Sequence, residues 1–136
     1  MSAAETRALV ERYYDAFNAG DRDGMLACLT DDVAHDINQG ECQTGKAAFA
    51  AFLAHMDRCY RERLDDIVVM TSPDGAHAAA RFTVHGDYLA TDPGLPPATG
   101  QHYVLPAGAF FESRDGAIAR VAVHYNLADW IRQVGG

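Results

Sequence analysis

The first apolar stripe of the chain recurs at helical spacing and predicts an amphipathic helix. Its members are Leu9, Val10, Tyr13, Tyr14 and Phe17. The helix should begin near Ala3, because Ser2 and Glu5 have the spacing of a capping box. It should end at Gly20, since glycine readily adopts the left-handed conformation that closes a helix.

Two more helices are predicted on either side of a short strand. Asp21 should cap a short second helix, and Thr44 should cap a third. The apolar stripe of the third helix consists of Phe49, Phe52, Leu53, Met56 and Tyr60. Residues 31–40 lie between these helices and predict a strand with turn residues at both ends.

From about residue 62 the apolar period changes to two, which predicts a series of long strands. Their expected ranges are 62–72, 76–90, 101–113 and 117–127. Pro106 and Gly108 predict a bulge or a sharp bend within the third of them. One closing helical turn is expected over residues 126–134.

This order of elements predicts an α+β domain with three N-terminal helices packed on a strongly curved, mainly antiparallel sheet. Strands of this length must twist and bend. A bent sheet with helices across it encloses a cone-shaped cavity. No repeat or linker interrupts the pattern, so we expect a single domain over residues 1–136.

Charge and composition exclude several classes of function. With 11 basic and 19 acidic side chains the net charge is −8, which argues against a nucleic-acid partner. The chain has no basic amphipathic helix and no apolar run of membrane-spanning length, so we expect no membrane partner. A polar N-terminus without a signal core predicts a cytoplasmic protein.

The strand over residues 31–40 carries the first candidate for catalysis. Asp36 is a candidate general base, because a carboxylate in an apolar cavity would have a raised pKa. Strand alternation, however, places Asp36 opposite the face that carries Val33, His35 and Ile37. An exposed carboxylate on the outer face is therefore the alternative.

Three further polar residues have both a functional and a structural interpretation. An inward His35 could exchange a proton near neutral pH, or it could be a core histidine bonded to a backbone carbonyl. Tyr13 could donate its hydroxyl to a ligand carbonyl, or it could belong only to the core stripe. Asn38 could orient a ligand oxygen, or it could make an Asx turn.

The walls of the cavity are expected to be apolar and aromatic and to set the shape of a small apolar ligand. The predicted ligand-binding residues, besides Asn38, are Phe17, Phe52, Met56, Phe82, Val84, Tyr88, His102, Val104, Phe110 and Tyr125. The six histidines and three cysteines lack the spacing of a metal site. We therefore predict no metal and no cofactor.

The segment from Phe17 to Asp21, read with Asp31-Asp32-Val33, resembles the opening of the nuclear transport factor 2-like superfamily. That superfamily includes the SnoaL-like polyketide cyclases and the ketosteroid isomerases, and this chain is most similar to ketosteroid isomerase-related proteins. The resemblance implies a cone-shaped domain, usually a homodimer, with a deep apolar pocket. We expect the outer sheet face with Arg81, Thr83 and His85 to form the dimer contact.

Carried over by position, the resemblance matches the isomerase residues only in part. Tyr13 matches the tyrosine that holds the oxyanion, and the base position falls on Ile37, between Asp36 and Asn38. The position of the protonated acid falls on Gly108, which has no side chain to donate a hydrogen bond.

Two hypotheses therefore stay open. One is a cofactor-independent enzyme of isomerase, cyclase or hydratase type that acts on an apolar carbonyl compound through Asp36, Tyr13 and His35. The other is a non-catalytic module for ligand binding or dimerisation, which the glycine at position 108 favours.

Overall fold

The computed structural model describes residues 1–135, which form four helices and six strands. The helices are α1 (Ala3–Ala19), α2 (Arg22–Ala27), α3 (Lys46–Cys59) and α4 (Leu127–Gly135). The strands are β1 (Leu29–Asp36), β2 (Cys42–Thr44), β3 (Tyr60–Thr71), β4 (His77–Tyr88), β5 (His102–Arg114) and β6 (Ala117–Tyr125).

Local signals determine the first helix as predicted. The Glu5 N–H donates to Ser2 Oγ at 3.1 Å, and the Ser2 N–H donates to Glu5 Oε1 at 3.0 Å, so the capping box is complete. Gly20 closes the helix with φ of 70°. The predicted cap of α3 was wrong, because Thr44 belongs to β2 and Gly45 precedes the helix without a side-chain cap.

The strands form one curved, mixed sheet with the order β2-β1-β6-β5-β4-β3. Strands β1 and β6 are parallel, and every other neighbouring pair is antiparallel. The prediction of helices packed on a curved, mainly antiparallel sheet is therefore confirmed. Strand β2 was not predicted, because its three residues are too few to show a period.

The bulge predicted at Pro106 and Gly108 is absent from the described part of β5. The pairing of β4 with β5 runs without a shift from His77–Glu112 to Asp87–His102. The nearest register shift lies in the pairing of β5 with β6, between Glu112 and Ser113. Another lies in the pairing of β3 with β4, where Asp66 of β3 has φ of 53°.

Proline is tolerated in β5 because of where β6 ends. The pairing of β5 with β6 ends at Ala107, so Pro106, the residue before it in the chain, has no partner in β6. On the same edge of β5, the Val104 N–H donates to the side chain of Gln133 at 3.0 Å instead of to a strand. The missing N–H of Pro106 therefore costs the sheet no ladder hydrogen bond.

The core lies between the helices and the inner face of the sheet. Fully buried members include Leu9, Val10, Met25, Val33, Phe49, Tyr88, Tyr103 and Val121. Arg81, Thr83 and His85 alternate in β4 with the buried Phe82 and Val84 and so lie on the outer face, where dimerisation stays a prediction. No helix within residues 1–135 has both the length and the apolar content needed to cross a membrane.

The burial of Leu9 in α1 predicts a measurable contribution to stability. Leu9 is 1% exposed, so Leu9→Ala should lower the free energy of unfolding by about 2–5 kcal/mol through lost burial and a cavity. Leu89 is 43% exposed, and Leu89→Ala should change the free energy of unfolding by less than about 0.5 kcal/mol. Urea unfolding of both variants measures the difference, and equal losses would contradict the assigned core.

Candidate functional site

A cavity of about 460 Å³ opens between the inner face of the sheet, the first three helices and the loop after β4. Six of the predicted wall residues line it: Phe17, Phe52, Met56, Phe82, Val84 and Tyr125. Tyr13, His35 and Asn38 line it as well. The walls are thus mostly aromatic and aliphatic, with a few polar groups set among them.

Four predicted wall residues lie elsewhere. His102, Val104 and Phe110 are on the outer face of β5, where Val104 is 42% and Phe110 59% exposed. Their placement was wrong because the odd-numbered residues of β5, such as Tyr103 and Leu105, face inward. An error of one residue in the register moves every side chain of a strand to the opposite face.

Tyr88 was also wrongly predicted as a cavity wall. It is fully buried behind the cavity, and its ring packs against Tyr60 and Trp130. Its hydroxyl donates to the Pro96 carbonyl at 2.7 Å and accepts from the Asp92 N–H at 2.9 Å. Tyr88 therefore holds the loop that borders the cavity.

Asp36 does not enter the cavity, and its prediction as an inward base was wrong. Its Oδ2 accepts a hydrogen bond from Arg120 Nη1 at 2.7 Å, and Arg120 also donates to Glu112 at 2.5 Å. Mainly because of the Arg120 hydrogen bond, the pKa of Asp36 lies below its usual value. No bulge turns it inward, since His35 and Asp36 pair in step with β6.

His35 does face the cavity and is only 3% exposed. Its ring centroid lies 4.5 Å from that of Phe49 and 4.7 Å from that of Phe52. Burial lowers the pKa of His35 to about 4, so the imidazole is neutral at pH 7. Its buried Nδ1 has no hydrogen-bond partner among residues 1–135, so the expected backbone bond of a core histidine is not formed there.

Tyr13 and Asn38 contribute in different ways. Burial raises the pKa of Tyr13 far above its usual value, so its hydroxyl stays protonated, and no residue in the described chain bonds to it. The Asn38 amide donates to the Tyr125 carbonyl at 2.9 Å and accepts from its N–H at 3.4 Å. Tyr13 is thus available to a ligand, whereas Asn38 is used to hold the end of β6.

The most unusual carboxyl group of the cavity is Glu62, which the sequence analysis missed. It lies in β3 and lines the cavity, and Tyr103 Oη donates to its Oε2 at 2.5 Å. Burial raises the pKa of Glu62, although the Tyr103 hydrogen bond acts in the opposite direction. Glu62 therefore has the raised carboxyl pKa that was expected of Asp36.

Gly86 makes the contact between Tyr103 and Glu62 possible. The three residues lie side by side across the sheet, since Glu62 pairs with Gly86 and Gly86 pairs with Tyr103. A Cβ atom on Gly86 would lie 2.1 Å from Cζ of Tyr103. The tyrosine ring thus crosses over β4 at the one inward position without a side chain, and a glycine within an alternating strand was the available sequence signal.

Two polar groups lie at the rim of the cavity. Arg22 of α2 forms an ion pair with Asp57 of α3, with Nη2 and Oδ1 2.6 Å apart. Asp92 of the loop contacts His55 Nε2 at 2.9 Å and accepts from Tyr60 Oη at 2.7 Å. Helix α3 is thereby joined both to α2 and to the loop over residues 91–100.

The role of Gly86 can be tested by adding one methyl group. Gly86→Ala should lower the free energy of unfolding by roughly 1–3 kcal/mol, because the new Cβ displaces the Tyr103 ring. In a Tyr103→Ala background the same change should cost little, since the ring is gone. A double-mutant cycle by urea unfolding measures the coupling between positions 86 and 103. If the effects of the two substitutions simply add, the Tyr103 ring does not lie over Gly86.

The burial of His35 predicts a pH-dependent stability. The unfolded chain binds a proton at this site below about pH 6.5, whereas the folded chain binds it only below about pH 4. The unfolded state therefore holds more protons in this window, and the free energy of unfolding falls on acidification. His35→Gln should remove this part of the slope, by up to roughly 3 kcal/mol.

Urea unfolding at several pH values measures the slope for wild type and variant. His77→Gln is the control, because His77 is exposed. If wild type and His35→Gln lose stability in parallel on acidification, His35 is not buried in its neutral form.

The chain is similar to several crystal structures over almost its whole length. A candidate polyketide cyclase from Pseudomonas putida KT2440 is 64% identical with a TM-score of 0.94, and the match covers 98% of each chain. One from Silicibacter sp. TM1040 is 56% identical with a TM-score of 0.96, covering 100% of this chain and 99% of that one. Among curated proteins, none matches this chain.

More distant similarity supports the fold alone. A nuclear transport factor 2-like protein of unknown function from Burkholderia pseudomallei K96243 is 20% identical with a TM-score of 0.78, and all of both chains is covered. The predicted cone-shaped fold is thereby confirmed. The family model described as the SnoaL-like domain matches residues 10–121, most of the chain, and confirms the resemblance to the superfamily that includes the SnoaL-like proteins. The chain belongs to the family of SnoaL-like domains.

Proposed function

We propose that this protein is an enzyme that moves a proton on an apolar, carbonyl-bearing molecule held in the cavity, with Glu62 as the acid–base group. The observation that carries the proposal is the setting of Glu62, a carboxyl group with a raised pKa on the wall of an apolar cavity. A carboxylate with such a pKa is a better base near neutral pH than an exposed one.

The size and lining of the cavity support the ligand class. Its volume of about 460 Å³ lies within the range of small-molecule sites. Aromatic side chains such as Phe17, Phe52 and Phe82 offer flat apolar surfaces, which suit a ring-bearing or conjugated ligand. The polar groups among them can fix the orientation of a few ligand oxygens.

The proposed step divides the work between three side chains. The Glu62 carboxylate removes a proton from the carbon next to the ligand carbonyl, and the C–H electron pair moves to form an enolate. The Tyr13 hydroxyl, which has no bond to the described part of the protein, donates a hydrogen bond to the enolate oxygen. Tyr103 holds the Glu62 carboxyl in place throughout.

The fate of the enolate decides the reaction type. Return of the proton from Glu62 to another carbon is an isomerisation. Attack of the enolate carbon on a second carbonyl of the same molecule forms a ring, and the new alkoxide takes the proton back from Glu62, which returns to the carboxylate form. The similarity to candidate polyketide cyclases at 64% and 56% identity favours ring closure.

A binding module without chemistry is the second candidate, and one observation favours it. Gly108, at the position of the isomerase acid, lies on the outer face of β5. No side chain at position 108 could reach the cavity from there. The classical pair of oxyanion donors is therefore not reproduced, and any donor must come from elsewhere, as Tyr13 does in the proposal.

Solvent deuterium exchange tests the proton transfer without knowledge of the product. A panel of apolar β-dicarbonyl and conjugated ketone compounds is incubated with the protein in D₂O, and loss of the α-proton signal is followed by NMR. Glu62→Gln should slow the protein-dependent exchange by about 10²–10⁴-fold, because the amide cannot accept the proton. Binding of the compound should be retained, since the amide still fits beside Tyr103.

The outer face supplies a matched control. Glu112 carries the same carboxyl group but is bonded to Arg120 outside the cavity, so Glu112→Gln should leave the exchange unchanged. Asp36→Asn should also have no effect, for the same reason. Binding with no exchange in wild type would support the module, and exchange that survives Glu62→Gln would exclude Glu62 as the base.

A further inference from the structure

Three potential metal ligands meet at the rim of the cavity. His55 and Cys59 lie four residues apart on the last turn of α3, and so share one face of the helix. Asp92 comes from the loop after β4. His55 Nε2, Cys59 Sγ and a carboxylate oxygen of Asp92 all lie within 4.8 Å of one another.

The loop is held against the helix by bonds that do not involve these side chains. The N–H groups of Leu89 and Ala90 donate to the Cys59 carbonyl at 2.7 and 3.3 Å. The Asp92 N–H donates to Tyr88 Oη at 2.9 Å. The three candidate ligands are therefore brought together by the fold itself.

We propose that His55, Cys59 and Asp92 form a binding site for a divalent cation of the zinc type. Imidazole nitrogen, thiolate sulfur and carboxylate oxygen are the ligands that Zn²⁺ uses in proteins. In a tetrahedral site such atoms lie roughly 3.4–3.6 Å apart. The present separations, 4.0 Å from Sγ to Nε2 and 2.9 Å from Nε2 to Oδ1, lie on either side of that value.

The surroundings of the cluster suit a cation with an open position. Tyr60 Oη donates to the second carboxylate oxygen of Asp92 at 2.7 Å and so orients the carboxylate. The side chains of His55 and Asp92 are 33% and 18% exposed and line the cavity, which provides an entry path. Three protein ligands leave a fourth position for water or for an oxygen of a ligand.

Arg58 opposes binding in the metal-free protein. Its Nη2 lies 3.2 Å from His55 Nδ1, and because a guanidinium only donates, Nδ1 must accept. The imidazole proton then sits on Nε2, facing Asp92. A cation needs Nε2 unprotonated, so the proton moves to Nδ1, the exposed Arg58 turns away, and the Cys59 thiol releases its proton to solvent.

Titration with Co²⁺ and Zn²⁺ tests the site in the tag-free full chain. Bound Co²⁺ should produce a thiolate-to-metal charge-transfer band and d–d bands of tetrahedral type. Added Zn²⁺ should displace the Co²⁺ and remove these bands. Cys59→Ser should abolish the charge-transfer band, and Asp92→Asn should weaken binding by roughly tenfold or more. Arg58→Gln should tighten binding by a similar factor, because it removes a positive charge and frees Nδ1.

Cys42→Ser is the control for adventitious thiol binding, because Cys42 is exposed in β2 and does not belong to the cluster of His55, Cys59 and Asp92. It should leave the spectrum unchanged. A charge-transfer band that persists in Cys59→Ser and disappears in Cys42→Ser would overturn the proposal, as would a wild type that produces no such band. Thermal unfolding of each metal-free variant establishes that it is folded, and this test is independent of Glu62.

Discussion

The pairing register of β4 with β5 is the constraint on which the cavity depends. It runs without a break from His77 to Asp87, so the inward residues of the two strands lie directly beside each other. Phe82, Val84 and Gly86 thus share a surface with Ala107, Leu105 and Tyr103. A shift by one residue would place Val104 and Phe110 inside and would turn Tyr103 away from Glu62.

Desolvation acts on two titratable groups of the cavity in opposite directions. It raises the pKa of Glu62 and lowers that of His35, because burial disfavours the charged form of either group. On the outer face of the sheet the pKa of Asp36 is instead lowered, because Arg120 stabilises its charged form. Two carboxyl groups of this chain therefore differ in pKa because of their surroundings, and such a difference points to one of them as the candidate for acid–base chemistry.

The rim of the cavity is built from long-range contacts between α3 and the loop after β4. Tyr88 lies behind the wall and holds this loop through the Asp92 N–H and the Pro96 carbonyl. His55 of α3 and Tyr60, the first residue of β3, contact the Asp92 side chain. The same contacts that shape the entrance also assemble the imidazole, thiol and carboxylate, so entrance and candidate cation site form one unit.

Local interactions made the helices, and the order of every element except β2, predictable from the amino-acid sequence. The capping box at Ser2 and Glu5 and the left-handed Gly20 act over a few residues, and the change of apolar period separates helices from strands. The segment from Phe17 to Asp21, read with Asp31-Asp32-Val33, indicated the superfamily. Cavity residues on helices, such as Phe17 and Phe52, followed from the same periodicity.

Which residues of β5 face inward, and which distant side chains meet, follows from long-range pairing that the sequence does not show. The face on which a strand residue lies depends on the pairing register, and a shift of one residue would turn Val104 inward and Tyr103 outward. The inward and outward residues of β5 were therefore predicted the wrong way round. Glu62 stands between two arginines in the sequence, and nothing local indicates that Tyr103 reaches it across Gly86. Such pairings join residues far apart along the chain, and their energies arise from burial and sheet geometry that no short segment contains.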